Sequence, residues 1–205
     1  NIFLFPINAL IETFSSDYWT GWSYNLVNGS YYNSSNVPYT YLMTNFIFKT
    51  PEFILLLYSL FIIILFFKFN FYKKKFKRFK IKLLLIISLL IFPNLILLII
   101  PYPLYDGVRL FLWIVPYLTI IPALTFFYLI KNTNLLFVRG ALSLLTVFII
   151  FFLYNFINIT PYHYTYLNIL NSKKELRYQK FENDYWGASI KELVSKSSFE
   201  KNKLI

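Results

Sequence analysis

Four long apolar runs, separated by short polar turns, dominate the pattern of hydrophobic and polar positions along the chain. They cover about residues 51–69, 83–100, 111–130 and 140–159. Each run approaches the roughly 20 residues that an α-helix, rising about 1.5 Å per residue, needs to cross about 30 Å of hydrocarbon. The pattern therefore predicts an all-α integral membrane protein, a polytopic bundle of about four transmembrane helices within residues 51–159.

The segments on either side of the spans are polar and aromatic. Residues 1–50 are rich in Tyr, Trp, Asn and Ser, a composition typical of chains at head-group level, and we predict interfacial helices there. Residues 160–205 form a tail in which Lys and Glu become frequent. Either Asp184 or Ser189 is placed to cap a short amphipathic helix near its end, which we expect to rest on the membrane-facing body.

The distribution of charge predicts the orientation of the bundle. The formal net charge is +11, and residues 68–82 contain eight cations and no acid. A short connector this basic remains cytoplasmic, and Lys131 and Arg139 mark the connector between the third and fourth spans as cytoplasmic too. Residues 1–50, the loop 101–110 and the tail 160–205 are then extracytoplasmic. This interpretation favours membrane lipids over nucleic acid as partners of the lysine run.

Composition excludes several kinds of chemistry. The chain has no cysteine, which excludes disulfides, thiolate metal sites and cysteine nucleophiles, and the lone histidine, His163, cannot form a multi-histidine metal site. We identify no cofactor. Abundant Lys, Asn, Ile, Phe and Tyr are typical of an A+T-rich genome and indicate a bacterial inner (plasma) membrane. Because the chain begins at Asn1, we expect it to be the C-terminal part of a longer protein.

The turn between the second and third spans contains Tyr105, Asp106, Gly107, Val108 and Arg109, in which an acid and a permanent cation are separated by two residues. In one interpretation Asp106 and Arg109 form an ion pair or cap the third span, and the arginine reaches the lipid phosphates. In the other, Arg109 binds a phosphate or pyrophosphate of a lipid-linked substrate, which suits a forked guanidinium. Gly107 would let the backbone approach closely.

Three further places carry candidate chemistry. Asp184, Tyr185 and Trp186 combine an acid with aromatic rings, as the wall of a sugar site does, but they can equally cap a helix and pack. Lys49 can neutralise a lipid phosphate or be an ordinary interfacial lysine. His163 can act as a general base or be a hydrogen-bonded surface group.

Six short motifs follow one another along the chain. They are Gly29-Ser-Tyr-Tyr32, Pro38-Tyr-Thr-Tyr41-Leu42, Lys49-Thr50-Pro51, Tyr105-Asp106-Gly107-Val108-Arg109, Pro161-Tyr-His-Tyr-Thr-Tyr166-Leu167-Asn168 and Asp184-Tyr185-Trp186-Gly187. Their order and the topology resemble the C-terminal half of bacterial membrane glycosyltransferases of the GT-C fold. These are the family-39-like enzymes, similar to protein O-mannosyltransferases and lipid A aminoarabinose transferases. The resemblance covers nearly all 205 residues.

The resemblance implies transfer of a sugar from a polyprenyl-phosphate donor to a glycan, lipid or protein acceptor on the extracytoplasmic side, with inversion at the anomeric carbon. It places the catalytic base in a loop upstream of this chain. The chain by itself would then be inactive. Arg109 and Lys49 would face the donor phosphate. The site wall would be drawn from Asp106, Tyr105, Asp184, Tyr185, Trp186 and His163. The resemblance does not decide whether a divalent metal is needed, because metal dependence varies in such enzymes.

Two other hypotheses compete with a transferase. A transporter or lipid-glycan flippase requires ionisable residues inside the spans, whereas Asn94 is the most polar residue near a span centre. A non-catalytic membrane scaffold would be favoured by an upstream first loop without Asp or Glu.

Overall fold

The computed structural model describes residues 23–99, 104, 107–131, 135–171, 179–182, 187 and 189–196. These residues are mostly helical. Two strands, β1 (Tyr24–Val27) and β2 (Ser30–Asn33), precede the helices α1 (Tyr41–Lys49), α2 (Glu52–Lys75), α3 (Phe79–Ile99), α4 (Val115–Lys131), α5 (Leu135–Asn158) and α6 (Ile190–Lys196). Short 3₁₀ turns lie at Ser34–Asn36, Arg109–Ile114 and His163–Thr165.

Four helices have the length and composition to cross a membrane, which confirms the predicted number of spans. They run over Glu52–Lys75, Phe79–Ile96, Arg109–Lys131 and Leu136–Asn158. Successive spans alternate in direction, so the bundle has two ends. The hairpin end carries β1, β2, α1, the turn at Gly107 and residues 159–171. The basic end carries the turn between α2 and α3, the last residues of α4 and the first residues of α5.

The first described segment differs from the interfacial helices predicted there, because a β-hairpin precedes α1. The strands are antiparallel, with Tyr24 opposite Asn33 and Val27 opposite Ser30. Asn28 and Gly29 between them both have positive φ, 48° and 90°. Asn-Gly is the dipeptide that favours a two-residue turn of this kind, because both positions need left-handed backbone. The prediction of an all-α protein therefore holds for the membrane region, and a small sheet is added to it.

The bundle core lies between α2, α4 and α5, where Phe61, Ile64, Leu129 and Leu145 are buried. One polar contact inside it has a clear cause. Pro122 in α4 has no N–H, so the carbonyl four residues earlier loses its helical donor. That carbonyl belongs to Leu118, and it accepts a hydrogen bond from the Tyr58 hydroxyl of α2 at 2.5 Å. A neighbouring span thus compensates for the proline, as it must in a medium without water.

The basic connector predicted over residues 68–82 is largely helical. Helix α2 continues to Lys75 across a non-helical residue, Lys68, with φ −132° and ψ 28°. Helix α3 begins at Phe79. Only residues 76–78 join the two, and Arg78 makes the turn at φ 56°. Six of the eight cations therefore project from helix ends, and Lys77 and Arg78 lie in the turn between them.

Candidate functional site

The polar chemistry converges at the hairpin end. Its small core is formed by apolar residues from the hairpin, α1, the turn before α4 and the tail: Val27, Tyr41, Leu42, Leu104, Phe111, Ile114, Leu167 and Phe181. Segments that are far apart in the chain therefore form one packed unit here. Within it, the structure brings Lys49 next to the turn that precedes Arg109.

Gly107 lies against the end of α1. A Cβ atom on it would be 3.0 Å from Lys49 Nζ and 3.1 Å from Asn45 Oδ1, and its φ is +66°. Its backbone N–H donates to the Tyr41 hydroxyl at 2.8 Å. The left-handed backbone therefore favours glycine here, and a Cβ atom would also crowd Lys49 and Asn45.

The Lys49 ammonium sits between this turn and the tail. It lies 5.4 Å from the centre of the Phe181 ring, a distance at which a cation is attracted to an aromatic face. Phe181 is itself held in place: it forms an isolated β-bridge with Val27, and the Lys180 carbonyl accepts from the Gly29 N–H at 3.0 Å. The tail segment 179–182 thus continues the hairpin and forms one wall around Lys49.

Arg109 is exposed and begins the 3₁₀ turn Arg109–Ile114 that leads into α4. Phe111 and Ile114 in the same turn are buried in the core of this end, at 6% and 8% exposure. Arg109 is therefore presented from an anchored turn, two positions after the glycine that touches Lys49. Lys49 and Arg109 therefore lie at the same end of the bundle, each at the boundary of a span, and a pair of cations at such a boundary suits a phosphate group.

The start of the tail is fastened to α1 by two asparagines. The Asn168 side-chain amide donates to the carbonyls of Ile47 at 2.6 Å and Thr50 at 2.8 Å. Its backbone N–H donates to Phe48 O, which also accepts from Asn171 Nδ2. Helix ends leave their last carbonyls without intrahelical donors, so these asparagines cap the end of α1 at the point where Lys49 projects.

Glu52 adds a second fastening point at the start of α2. Its carboxylate is 6% exposed and accepts from the Tyr166 hydroxyl at 2.6 Å and from the Ile169 N–H at 2.8 Å. A buried carboxylate is tolerated because both oxygens have donors. Its role is to position the tail. The signal for it in the sequence was an acid directly after Pro51, at the start of an apolar run.

The hairpin and the turn before α4 are joined through Asn25, which is 1% exposed. Its amide donates to Ser34 Oγ at 3.0 Å and to the Leu104 carbonyl. The Leu104 N–H donates to Ser34 O at 3.0 Å. Sequence reasoning gave no role to Asn25, Asn45 or Asn168, although Asn168 ends one of the six motifs. Asparagine is abundant throughout the chain, and only the fold shows which ones are buried.

His163 lies apart from this unit. Its ring stacks on Phe156, with centres 4.0 Å apart and an interplanar angle of 6°. Its Nε2 is 3.0 Å from the Thr160 hydroxyl, and the residue is exposed. This is the geometry of a hydrogen-bonded surface group, and a role as a general base stays a prediction.

Helix α6 starts directly after Ser189, as expected if that residue rather than Asp184 caps it. Ile190, Leu193 and Val194 are 56%, 67% and 50% exposed. The apolar side of the helix therefore does not pack against the described part of the protein, contrary to the prediction that it would. A cavity of about 490 Å³ lies beside it, lined by Pro161, Tyr162, Tyr164, Lys191, Glu192 and Ser195. Hydrogen bonds from Lys196 and Tyr162 hold the pKa of Glu192 below its usual value.

Five candidate residues lie outside the described residues: Tyr105, Asp106, Asp184, Tyr185 and Trp186. Their roles stay predictions. Among the described residues, no group of three or more His, Asp or Glu side chains is placed to hold a metal ion. No protein-family model, curated protein or solved structure matches the chain.

Proposed function

We propose that this chain is the C-terminal part of a membrane glycosyltransferase, which moves a sugar from a polyprenyl-phosphate donor to an extracytoplasmic acceptor. One observation carries the proposal: Lys49 and the turn leading to Arg109 meet at one end of the membrane bundle. The two motifs that supply these cations belong to the resemblance described above. Their contact across the fold is what a shared phosphate site requires.

The depth of these cations suits a lipid-linked phosphate. Lys49 ends α1 directly before the span that begins at Glu52, and Arg109 begins the third span. Both therefore lie where hydrocarbon meets head groups, the level at which a polyprenyl chain passes into its phosphate. A guanidinium and an ammonium there can neutralise the phosphate and stabilise it as the leaving group when the sugar is transferred.

The proposal includes an orientation. The basic end carries the eight cations of residues 68–82 together with Lys131 and Arg139, and by the positive-inside rule it faces the cytoplasm of a bacterial cell. The hairpin end is then extracytoplasmic, with the acceptor approaching it from outside. The base that activates the acceptor hydroxyl would come from upstream of this chain.

Charge placement within the spans favours transfer over coupled transport. In the parts of the spans that the structure describes, charged side chains lie toward the helix ends, and Asn94 is only partly buried in α3. Coupled transport needs ionisable groups near the midplane. The polar network is instead concentrated at one end, where a transferase would bind its donor.

The test uses the protein with its upstream sequence restored, in membranes, and follows transfer of label from polyprenyl-phosphate sugars. Arg109→Ala and Lys49→Met should each lower kcat/KM by about tenfold to a hundredfold, because a charge-assisted hydrogen bond contributes about 1.5–3 kcal/mol. Lys131→Met, a loss of charge at the basic end, is the matched control. Full activity in both variants would remove these cations from the donor site. No transfer with any donor would support the scaffold hypothesis instead.

A further inference from the structure

A long apolar groove runs along the outer face of α3 and opens at the basic end. Its volume is about 610 Å³, and its lining is Phe69, Lys80, Leu83, Leu84, Ile87, Ser88, Ile91, Phe92 and Leu95. Lys80 is the single charged residue of this lining, and it lies at the end nearest the α2–α3 turn. The groove therefore has an apolar body and a cationic head.

The cationic head is held in place by an aromatic cluster. Past the kink at Lys68, Tyr72 is fully buried and stacks on Phe79 with ring centres 5.0 Å apart. Its hydroxyl donates to the Leu124 carbonyl of α4 at 3.1 Å. These contacts fasten the end of α2 and the start of α3 to the bundle, so Lys80 is presented from a fixed position.

Lys80 is also oriented by the kink itself. Phe69, the residue after Lys68, has its ring centre 5.8 Å from the Lys80 ammonium, within the range of a cation–π contact. The ring thus forms the end wall of the groove directly below the charge. A phosphate at this position would meet a cation already placed at the mouth of an apolar channel.

The groove is long enough to hold one lipid chain. From Lys80 to Leu95 the helix rises about 22 Å, at 1.5 Å per residue. One leaflet of the hydrocarbon core is about 15 Å deep, half of about 30 Å. The groove therefore extends from head-group level through the leaflet. Its surroundings are strongly positive at the head-group end, because residues 68–82 contain eight cations and no acid.

We propose that this groove binds an anionic phospholipid of the leaflet at the basic end, with one acyl chain along α3 and the phosphate at Lys80. The charge selects an anionic over a zwitterionic head group, because a cation near an anionic surface gains about 1 kcal/mol. This site lies at the opposite end of the bundle from the proposed donor site. It stands whether or not the protein is a transferase.

The test measures lipid retention by native mass spectrometry, on the full protein purified in detergent and supplied with phosphatidylglycerol or phosphatidylcholine. The wild type should retain phosphatidylglycerol about fivefold better, the equivalent of about 1 kcal/mol. Lys80→Met should abolish the preference. Ile87→Trp should lower retention of both lipids by filling the groove, because Ile87 lines it and is 41% exposed.

Matched controls separate this site from diffuse attraction. Lys131→Met removes a cation at the same end outside the groove, and Leu153→Trp enlarges a residue that is 47% exposed on α5; both should retain lipid as the wild type does. An equal loss in Lys131→Met and Lys80→Met would overturn the proposal, as would unchanged retention in Ile87→Trp. So would the absence of retained lipid, the result expected if another part of the protein covers the groove.

Discussion

Replacement of Asn168 by aspartate tests whether the tail holds the end of α1 in place. The side chain is fully buried, and its Oδ1 accepts from the Leu170 N–H at 3.1 Å, while its amide donates to two carbonyls. Asn168→Asp preserves shape and the accepting oxygen but loses the donor. The introduced carboxyl group would face the carbonyl oxygens of Ile47 and Thr50.

The expected cost follows from these contacts. Two hydrogen bonds at about 0.5–1.5 kcal/mol each give about 1–3 kcal/mol of lost stability. Facing carbonyl oxygens in a buried site disfavour the charged form, so the introduced carboxyl group has a folded-state pKa above its usual value of about 3.9. The loss of stability in Asn168→Asp should therefore become smaller as the pH falls from 7 toward 4, because the protonated carboxyl group can again donate one hydrogen bond. Asn168→Ala should show a similar loss without this pH dependence.

Unfolding by sodium dodecyl sulfate in mixed micelles, at several pH values, measures these differences. Asn36→Asp is the matched control: it makes the same chemical change at the same end of the bundle, on an exposed residue, and should stay within about 0.5 kcal/mol of wild type. If Asn168→Asp unfolded like the control at every pH, the asparagine cap on α1 would contribute nothing and the reasoning would fail.

Three further predictions use the same unfolding measurement or amide exchange. Gly107→Ala should cost at least about 1–2 kcal/mol from left-handed backbone alone, whereas Gly140→Ala, with no heavy atom within 4 Å of the new Cβ, should be neutral or stabilising. Tyr58→Phe should cost about 1 kcal/mol in the native sequence but little beside Pro122→Ala, which restores the helical donor; equal costs in both backgrounds would contradict the compensation. The lowered pKa of Glu192 means that its contacts stabilise α6 above its ordinary pKa of 4.5 and are lost as the pH falls through the lowered value. Amide exchange in α6 should show this, and the Glu192→Gln variant should lack the pH dependence.

Much of the membrane region could be predicted from the sequence. The four spans follow from apolar runs, because every residue within the bilayer faces hydrocarbon or a neighbouring span, and their number is confirmed. The predicted ends of the spans were less accurate. Helix α2 extends six residues beyond the predicted end at 69, because the charged residues that end an apolar run can continue a helix out of the bilayer.

The candidate site could be predicted from the sequence only in part. The sequence singled out Lys49 and the turn before Arg109 separately, from charges at the edges of apolar runs. It offered no sign that Asn45 and Lys49 lie against Gly107. Nor did it show that Asn25 and Asn168 are buried, because burial of a polar side chain depends on partners that are distant in the chain.

The hydrophobic pattern by itself determined that this is a membrane protein with four spans and a strongly basic segment at one end. Crossing a bilayer is a local, one-dimensional property of a run of residues. Only the tertiary structure decided which polar residues meet: the asparagine cap on α1, Lys49 beside the glycine turn, and Tyr58 at the carbonyl that Pro122 leaves without a donor. Those contacts depend on how the spans and their flanking segments pack, where each polar atom needs a partner from another segment.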